Sequence, residues 1–273
     1  MRFFKKRNKI CIFTYHKTGY WFLYKVFSQI SEAMDWKFQR LLGMQKDLPN
    51  DSDVVLFAHS LIDLSHVSKP YLGIHVIRDP RDIIVSGYLY HRRTKEKWCI
   101  NADFDLEPPI MFPQVPYSQQ HRPEKWKRGY LLSLNGKSYQ ENLLSMSQHD
   151  GLLFEMNNYG TWTIESIRNW DYTNKNILEL KFENIISSFD HSFCMMFDHL
   201  GFSKSETYKS MKIARKHDLK RKSFEEIQKM NHVSSEKIVK KWEDYFEEEH
   251  KKAFLDKFGN LLVDLGYETT ANW

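Results

Sequence analysis

The chain is predicted to fold as an α/β protein, with a central parallel sheet flanked by helices. Three observations predict it. A short apolar, β-branched run, Ile10–Tyr15, passes through a Gly-containing turn (TYHKTG) into a long helical pattern. Two more buried runs follow, Asp53–Ala58 (DVVLFA) and Tyr71–Ile77 (YLGIHVI), separated from the first by helical and loop stretches. The last of them enters Arg78-Asp79-Pro80-Arg81-Asp82, where Asp79 can cap a helix, Pro80 suits its first position and Asp82 can reach back to the cap.

In order along the chain, Thr18 to about Met34 reads as a helix with Trp21, Leu23, Phe27 and Ile30 as an imperfect apolar stripe. A short segment around Trp36–Leu42 leads to the second strand, which ends at His59. After the third strand comes a helix over Pro80–Tyr90. From about Thr94 to Asp150 the pattern breaks: Pro108, Pro109, Pro113, Pro116 and Pro123 lie among Trp98, Phe112, Tyr117, Trp126 and Tyr130. This reads as an irregular insertion in a single domain over 1–273, either a substrate lid or a surface excursion covering one sheet face. A helix near Trp162–Trp170, a strand over Asn176–Phe182 and a helix over Glu183–Leu200 ending at Gly201 follow. The remainder is expected to be helical: Lys204–Lys216, a piece over Phe224–Met230, and Ser235 to about Leu265.

Composition sets bounds on function. Hydrophobic residues at 41% and aromatics at 15% are ample for a core. A net charge of +5 is a mild bias, suited to an enzyme that takes a polyanionic small molecule and weaker than a dedicated nucleic-acid binder shows. Cys11, Cys99 and Cys194 are widely spaced and unpaired by motif, which argues against a disulfide framework and a zinc site. The basic start MRFFKKRNK precedes an apolar run too short for a signal peptide, and no run approaches the ~20 residues that span a bilayer. A cytoplasmic protein with neither membrane nor nucleic-acid partner is expected; its oligomeric state is open.

The turn after the first strand is the chemical centre. A strand, a turn and a helix start aim backbone N–H groups and a helix dipole at one point, a site for phosphate, and Lys17 adds a movable positive charge. It is not a nucleotide-triphosphatase loop, since GxxxxGK[ST] needs an upstream glycine and a lysine after the second one, whereas Lys17 precedes the single Gly19. GxGxxG is absent as well. A kinase of P-loop type is thereby disfavoured, and a non-enzymatic nucleic-acid-binding protein is the other rival class.

Three segments together resemble the cytosolic-type sulfotransferase family. TYHKTGYWF is similar to its 5′-phosphosulfate loop, TYPKSGTTW; HVIRDPRDIIVSGYLYH is similar to LVRNPKDVAVSYYHF, which binds the 3′-phosphate; LKFENIISSFDHSFCMMFDHLGF resembles the LxYEDLxxxP…FLG segment. The resemblance implies a P-loop-like sulfotransferase fold and transfer of a sulfuryl group from 3′-phosphoadenosine-5′-phosphosulfate (PAPS) to a hydroxyl or amine of a small-molecule acceptor. It implies no metal. Lys17 takes the place of the lysine on the 5′-phosphate and bridging oxygen, with the N–H groups of Thr18, Gly19, Tyr20 and Trp21 cradling that phosphate and Phe22 at the adenine-stacking position. Arg78 and Ser86, eight apart as in the family, would hold the 3′-phosphate. FAHSLIDL resembles KTHLP and makes His59 the candidate catalytic base.

The departures from the family pattern are specific. His16 replaces the proline, Tyr20 and Trp21 replace two threonines, Phe57 stands where a lysine precedes the base, and Phe182 replaces the tyrosine of YED. KSFEEIQKMN resembles SFxxMKxN and makes Phe224 an adenine contact. NHVSSEKIVKKW keeps Trp242 of RKGxxGDWK but loses its glycines and arginine, so Lys237, Lys240 or Lys241 is left to substitute at the 3′-phosphate. Read without the resemblance, Lys17 is a solvated loop lysine, Arg78 an ion-pair partner of Asp79 or Asp82, His59 a structural histidine, and Phe22 and Phe224 core aromatics. Asp103, Asp105, Glu107 and Glu155 read as surface charges, or as the lining of a pocket for a cationic, nitrogen-rich acceptor held by cation–π contacts.

Overall fold

The structure, a computed structural model, describes residues 8–100, 124–223, 225–226 and 237–273. In chain order the strands and main helices are β1 (Lys9–Phe13), α1 (Tyr20–Ala33), β2 (Phe38–Leu41), β3 (Val54–Phe57), β4 (Tyr71–Ile77), α2 (Pro80–His91), α3 (Glu124–Ser133), α4 (Tyr139–Ser145), α5 (Gln148–Glu155), α6 (Thr161–Arg168), β5 (Ile177–Lys181), α7 (Phe182–Ser187), α8 (Phe189–His199), α9 (Lys204–Arg215) and α10 (Glu248–Phe258). The chain divides into two compact units, residues 1–77 with 171–223 and residues 78–170 with 224–273. Among the described residues, no helix is long and apolar enough to cross a membrane.

The first unit holds the whole sheet, five parallel strands in the order β2-β3-β1-β4-β5. The expected central parallel sheet is therefore present, with β1 in the middle. Ile10 to Phe13, Val54 to Phe57 and Ile74 to Ile77 are buried, because strands covered on both faces by helices need apolar residues at every position rather than at alternate ones. The chain leaves β1 for β3 on one side and β4 on the other. The C-terminal end of β1 is thus the point where strand order reverses, where open α/β sheets bind ligands. α1 packs over β2 and β3 through Leu23, Val26, Phe27 and Ile30.

The second unit is helical, built around α2, of which every residue but Leu89 is buried. Ile84, Val85 and Tyr88 pack with Leu143, Leu152, Met156, Ile164 and Phe254 in one apolar cluster. Between α5 and α6 the helix passes through a π-turn at Met156–Gly160, whose wider coil carries Tyr159 into the core.

Several expectations are corrected. Phe38–Leu41 is a fifth, unexpected strand on the sheet edge, where partial exposure removes the apolar signature. The described part of the insertion is helical rather than irregular: α3, α4, α5 and a short turn at Lys97–Ile100 occupy it, while residues 101–123, with all five prolines, lie outside the described residues. The helix expected over Glu183–Leu200 breaks at Ser188 into α7 and α8. The one expected from Ser235 to Leu265 is a short turn at Trp242–Tyr245, then α10, then a turn at Leu261–Asp264, interrupted by extended backbone at Glu247 and a positive φ of 56° at Gly259. Gly201 does close α8 in the left-handed conformation, φ 72°.

Candidate active site

In the first unit the candidate residues Lys17 and His59 follow the C-terminal ends of β1 and β3. After Phe13 the chain turns sharply: Lys17 takes φ 62° and Gly19 φ 95°, so α1 begins at Tyr20 rather than at the expected Thr18. The Thr18 hydroxyl is spent on this turn, accepting the Tyr15 N–H at 2.8 Å and donating to the Tyr15 carbonyl at 3.0 Å, and the Thr18 N–H donates to the same carbonyl at 3.3 Å. The first helical bond runs from Leu23 N–H to Gly19 O, so the N–H groups of Tyr20, Trp21 and Phe22 precede the ladder. No acidic residue stands in the first turn and no side chain caps it. A helix start of this kind, next to a lysine held in left-handed backbone, can bind an oxyanion.

Gly19 is required by contact as well as by φ. A Cβ built there would lie 2.8 Å from Cδ2 and Cε2 of Phe182, the first residue of α7. Tyr20 and Trp21, in place of hydroxyl residues, pack on one another at 5.1 Å between ring centroids, and Trp21 packs on Tyr24 at 5.3 Å. The guanidinium of Arg40 lies 5.7 Å from both the Trp21 and Tyr24 rings. The Phe22 ring meets Phe189 and Phe193 of α8 edge-on.

His59 follows β3, and its loop is stitched to the end of β1. The Thr14 N–H and hydroxyl each donate to Phe57 O at 3.1 Å, and Ser60 Oγ donates to Thr14 O at 2.9 Å. Ser60 carries φ 53° to permit this. Burial pushes the His59 imidazole down to about 4, so the ring is neutral near pH 7, and its Nδ1 is buried without a hydrogen-bond partner among the described residues. Phe57, where the family has a lysine, is a core residue stacked on Phe13 at 5.0 Å and offers no cation.

Behind the Lys17 turn the buried Tyr15 and His75 and the partly exposed Glu179 form a chain of side chains that sequence reasoning missed. His75 Nδ1 stands 2.5 Å from the Glu179 carboxylate, and His75 Nε2 stands 3.0 Å from the Tyr15 hydroxyl. The carboxylate accepts the Nδ1 proton, which leaves Nε2 to accept the Tyr15 O–H. A histidine inside an otherwise apolar strand was the only signal available in the sequence.

In the second unit, Asp79 caps α2 as expected, accepting the Arg81 N–H at 2.9 Å. Asp82 does not reach back to the cap. One oxygen takes Arg78 at 3.2 Å and the other accepts the Trp242 N–H at 3.1 Å. Arg78 also donates to Ile238 O at 2.5 Å. Ser86 is buried on α2, and its hydroxyl has no hydrogen-bond partner among the described residues.

Of the three candidate lysines, one is distinguished. Lys237 pairs at the surface with Glu243 and Asp244, 3.1 Å each, and Lys240 is 70% exposed and 3.6 Å from Glu243. Lys241 is buried at 4% exposure, and desolvation, with Arg78 and then Arg93 opposing and Asp82 favouring its charge, lowers its ammonium to about 7. The structure thus brings Lys241 and Arg78 together around Asp82 and leaves Lys237 and Lys240 outside. Phe224, Asp103, Asp105 and Glu107 lie outside the described residues. Glu155 is not a surface charge: it is 1% exposed, with His91 Nδ1 and the Tyr139 hydroxyl both 2.9 Å from Oε2.

The first unit thus holds an uncapped helix start beside Lys17, and the second holds Arg78, Lys241 and a Ser86 hydroxyl without a hydrogen-bond partner among the described residues. The family profile described as a sulfotransferase domain matches residues 7–266. No curated protein matches the chain. Among solved structures, mouse sulfotransferase SULT7A1 complexed with PAP matches at 18% identity and TM-score 0.48, over 96% of this chain and 87% of that one. Retinol dehydratase in complex with androsterone and the inactive cofactor PAP matches at 14% identity and TM-score 0.49, over 94% and 81%. On the extent of the family match, which takes in the Lys17 turn, His59, the Arg78 helix and Lys241, the chain belongs to the sulfotransferase family.

Proposed function

We propose that this protein transfers a sulfuryl group from PAPS to a hydroxyl or amine of a small molecule, with Lys17 and the start of α1 at the 5′-phosphate, Arg78, Ser86 and Lys241 at the 3′-phosphate, and His59 as the base. The observation that carries the reading is the Lys17 turn itself. A lysine at φ 62° stands directly before an acid-free, uncapped helix start at the strand-order reversal of a parallel sheet.

PAPS supplies the sulfuryl group and leaves as adenosine-3′,5′-bisphosphate. Lys17 and the N–H groups of Tyr20 to Phe22 are fixed by the fold, so they stabilise charge on the departing phosphate without reorganising. His59, neutral at pH 7, accepts the acceptor's proton on its imidazole; negative charge gathering beside the ring favours the protonated form it then takes. Phe22 and Phe224 are the adenine contacts in this reading.

We extend the proposal to a cationic, nitrogen-rich acceptor on the acids Asp103, Asp105 and Glu107 of the insertion. Glu155 lends that extension no support, because His91 and Tyr139 hold its carboxylate.

Thermal shift tests the donor. Adenosine-3′,5′-bisphosphate is expected to stabilise the protein more than ADP with magnesium does. Release of adenosine-3′,5′-bisphosphate from PAPS across an acceptor panel of phenols, sugars, lipids and guanidinium compounds then tests the acceptor. Stronger stabilisation by ADP with magnesium, or no response to either ligand, overturns the donor reading.

A further inference from the structure

Arg81 of α2 is only 2% exposed, and its guanidinium is held by side chains of the protein. Its Nε and one terminal nitrogen bind the Asp79 carboxylate at 3.0 and 2.7 Å, and the other terminal nitrogen stands 2.6 Å from Glu268. Its planar carbon lies 3.7 Å from the centroid of the Trp242 ring and 4.4 Å from that of Trp273. Burying a guanidinium is unfavourable unless its partners compensate. Buried against Trp242 and Trp273 and paired with Asp79 and Glu268, Arg81 is placed to hold its neighbours in position.

What Arg81 grips is the segment that carries Lys241. Three ties join residues 238–242 to the start of α2: Arg78 to Ile238 O at 2.5 Å, Asp82 to the Trp242 N–H at 3.1 Å, and Arg81 against the Trp242 ring. Lys241 lies between these ties, buried, close enough to Arg78 for the two charges to oppose each other. Asp82 is shared between these two buried cations. Such an arrangement is unfavourable unless it is held in place, and an added dianion turns the repulsion into joint attraction.

We infer that Arg81, clamped by Trp242 and Trp273, is a positioning residue that moors the Lys241 segment to α2 so that Lys241 and Arg78 receive a 3′-phosphate together. The inference rests on the bisphosphate site proposed above. The family resemblance does not supply it, because the arginine of RKGxxGDWK is missing here and another device must bring a cation to this place.

The test is a selectivity ratio. Adenosine-3′,5′-bisphosphate and adenosine-5′-monophosphate are titrated calorimetrically into the full chain and into the Arg81→Lys, Trp273→Leu and Lys241→Met variants. Arg81→Lys keeps the charge but loses the planar stack and the fork. It is expected to weaken bisphosphate binding roughly tenfold while the monophosphate affinity stays within about twofold. In the Lys241→Met background it is expected to add little, because both changes remove one unit. Trp273→Leu, farther from α2, gives the same reading in smaller measure and serves if Arg81→Lys does not fold. An unchanged ratio in both clasp variants, or an equal loss for both nucleotides, overturns the positioning role. A parent chain that binds the two nucleotides alike overturns the bisphosphate site itself, and these failures are thereby told apart.

Discussion

The Phe182 ring underlies Gly19 so closely that a methyl group at Gly19 would stand 2.8 Å from two of its carbons. Phe182 opens α7, immediately after β5, so the far edge of the sheet sets the height of the phosphate turn. Gly19→Ala is expected to cost ~1–2 kcal/mol for the left-handed backbone and a further ~1–3 kcal/mol for overpacking. Gly19→Ala with Phe182→Ala removes the collision but not the backbone cost, so urea unfolding should give a double mutant more stable than the sum of the single changes predicts. Strict additivity would mean that the ring does not limit the turn.

His59 combines a catalytic prediction with a pH prediction. His59→Gln is expected to lower turnover by about 10²–10⁴-fold while bisphosphate binding by calorimetry stays near that of the parent. Retained turnover would move the base elsewhere, and His16, beside Lys17, would be the next residue to substitute. For stability, the unfolded imidazole takes a proton near ~6.5 and the folded one only near 4. The contribution is fully present above ~6.5 and is lost as pH falls toward 4, on the order of 3 kcal/mol over the full range. Urea midpoints at pH 7.5 and 5.0 should differ less in His59→Gln than in the parent.

The parts of this site that were legible in the sequence are those whose chemistry is local. Lys17 with Gly19, and Arg78 with Asp79 and Pro80, each lie in a few consecutive residues where turn and cap rules apply directly. β1, β3 and β4 were legible because buried parallel strands are continuously apolar. β2 was not, because an edge strand with exposed Arg40 lacks that signature. The capping box of Ser138 and Glu141 at the start of α4 was present in the sequence and was overshadowed by the prolines upstream. The long C-terminal helix was over-read because Glu247 and His250 form a cap that the usual Ser/Thr rule does not anticipate. Lys241 could not be separated from Lys237 and Lys240, because burial is decided by tertiary packing. Glu179 stands 104 residues from His75 and meets it only through the pairing of β4 with β5.

Lys241 should make donor-site binding depend on pH above neutrality. Its ammonium is lowered to about 7 by burial, with Arg78 and Arg93 also opposing the charge and Asp82 supporting it. In the ligand-free protein the unfolded chain therefore binds a proton that the folded chain does not, from ~10.5 down to 7, and stability declines as pH falls through that window. A 3′-phosphate favours the charged amine, so binding takes up a proton above pH 7. Bisphosphate affinity is expected to fall by up to about tenfold per pH unit between 7 and 9. Calorimetry in buffers of different ionisation enthalpy reads the proton directly. Lys241→Arg should flatten the profile with affinity retained, Lys241→Met should flatten it with affinity lost, and a Lys241→Met profile as steep as the parent's would assign the slope to another group.

The Tyr15–His75–Glu179 chain should govern how firmly the phosphate turn is held. Tyr15 moors the turn to the sheet through its hydroxyl on His75 and closes it through its backbone on Thr18, on either side of the left-handed Lys17. Tyr15→Phe removes the hydroxyl's contacts with His75 and Ser60 and leaves the backbone ties, and about 1–2 kcal/mol of stability is expected to go with it. Glu179→Gln keeps an acceptor for the His75 Nδ1 proton and should be milder than Glu179→Leu. His75 adds its own pH dependence. Burial lowers its pKa more than Glu179 raises it, so its stabilising contribution is present above ~6.5 and is lost as pH falls. Because the tie acts on the Lys17 turn, Tyr15→Phe should also weaken adenosine-5′-monophosphate and the bisphosphate by the same factor. That is the reverse of the pattern expected for Arg81→Lys, and a selective loss of bisphosphate binding in Tyr15→Phe would refute this placement of the tie.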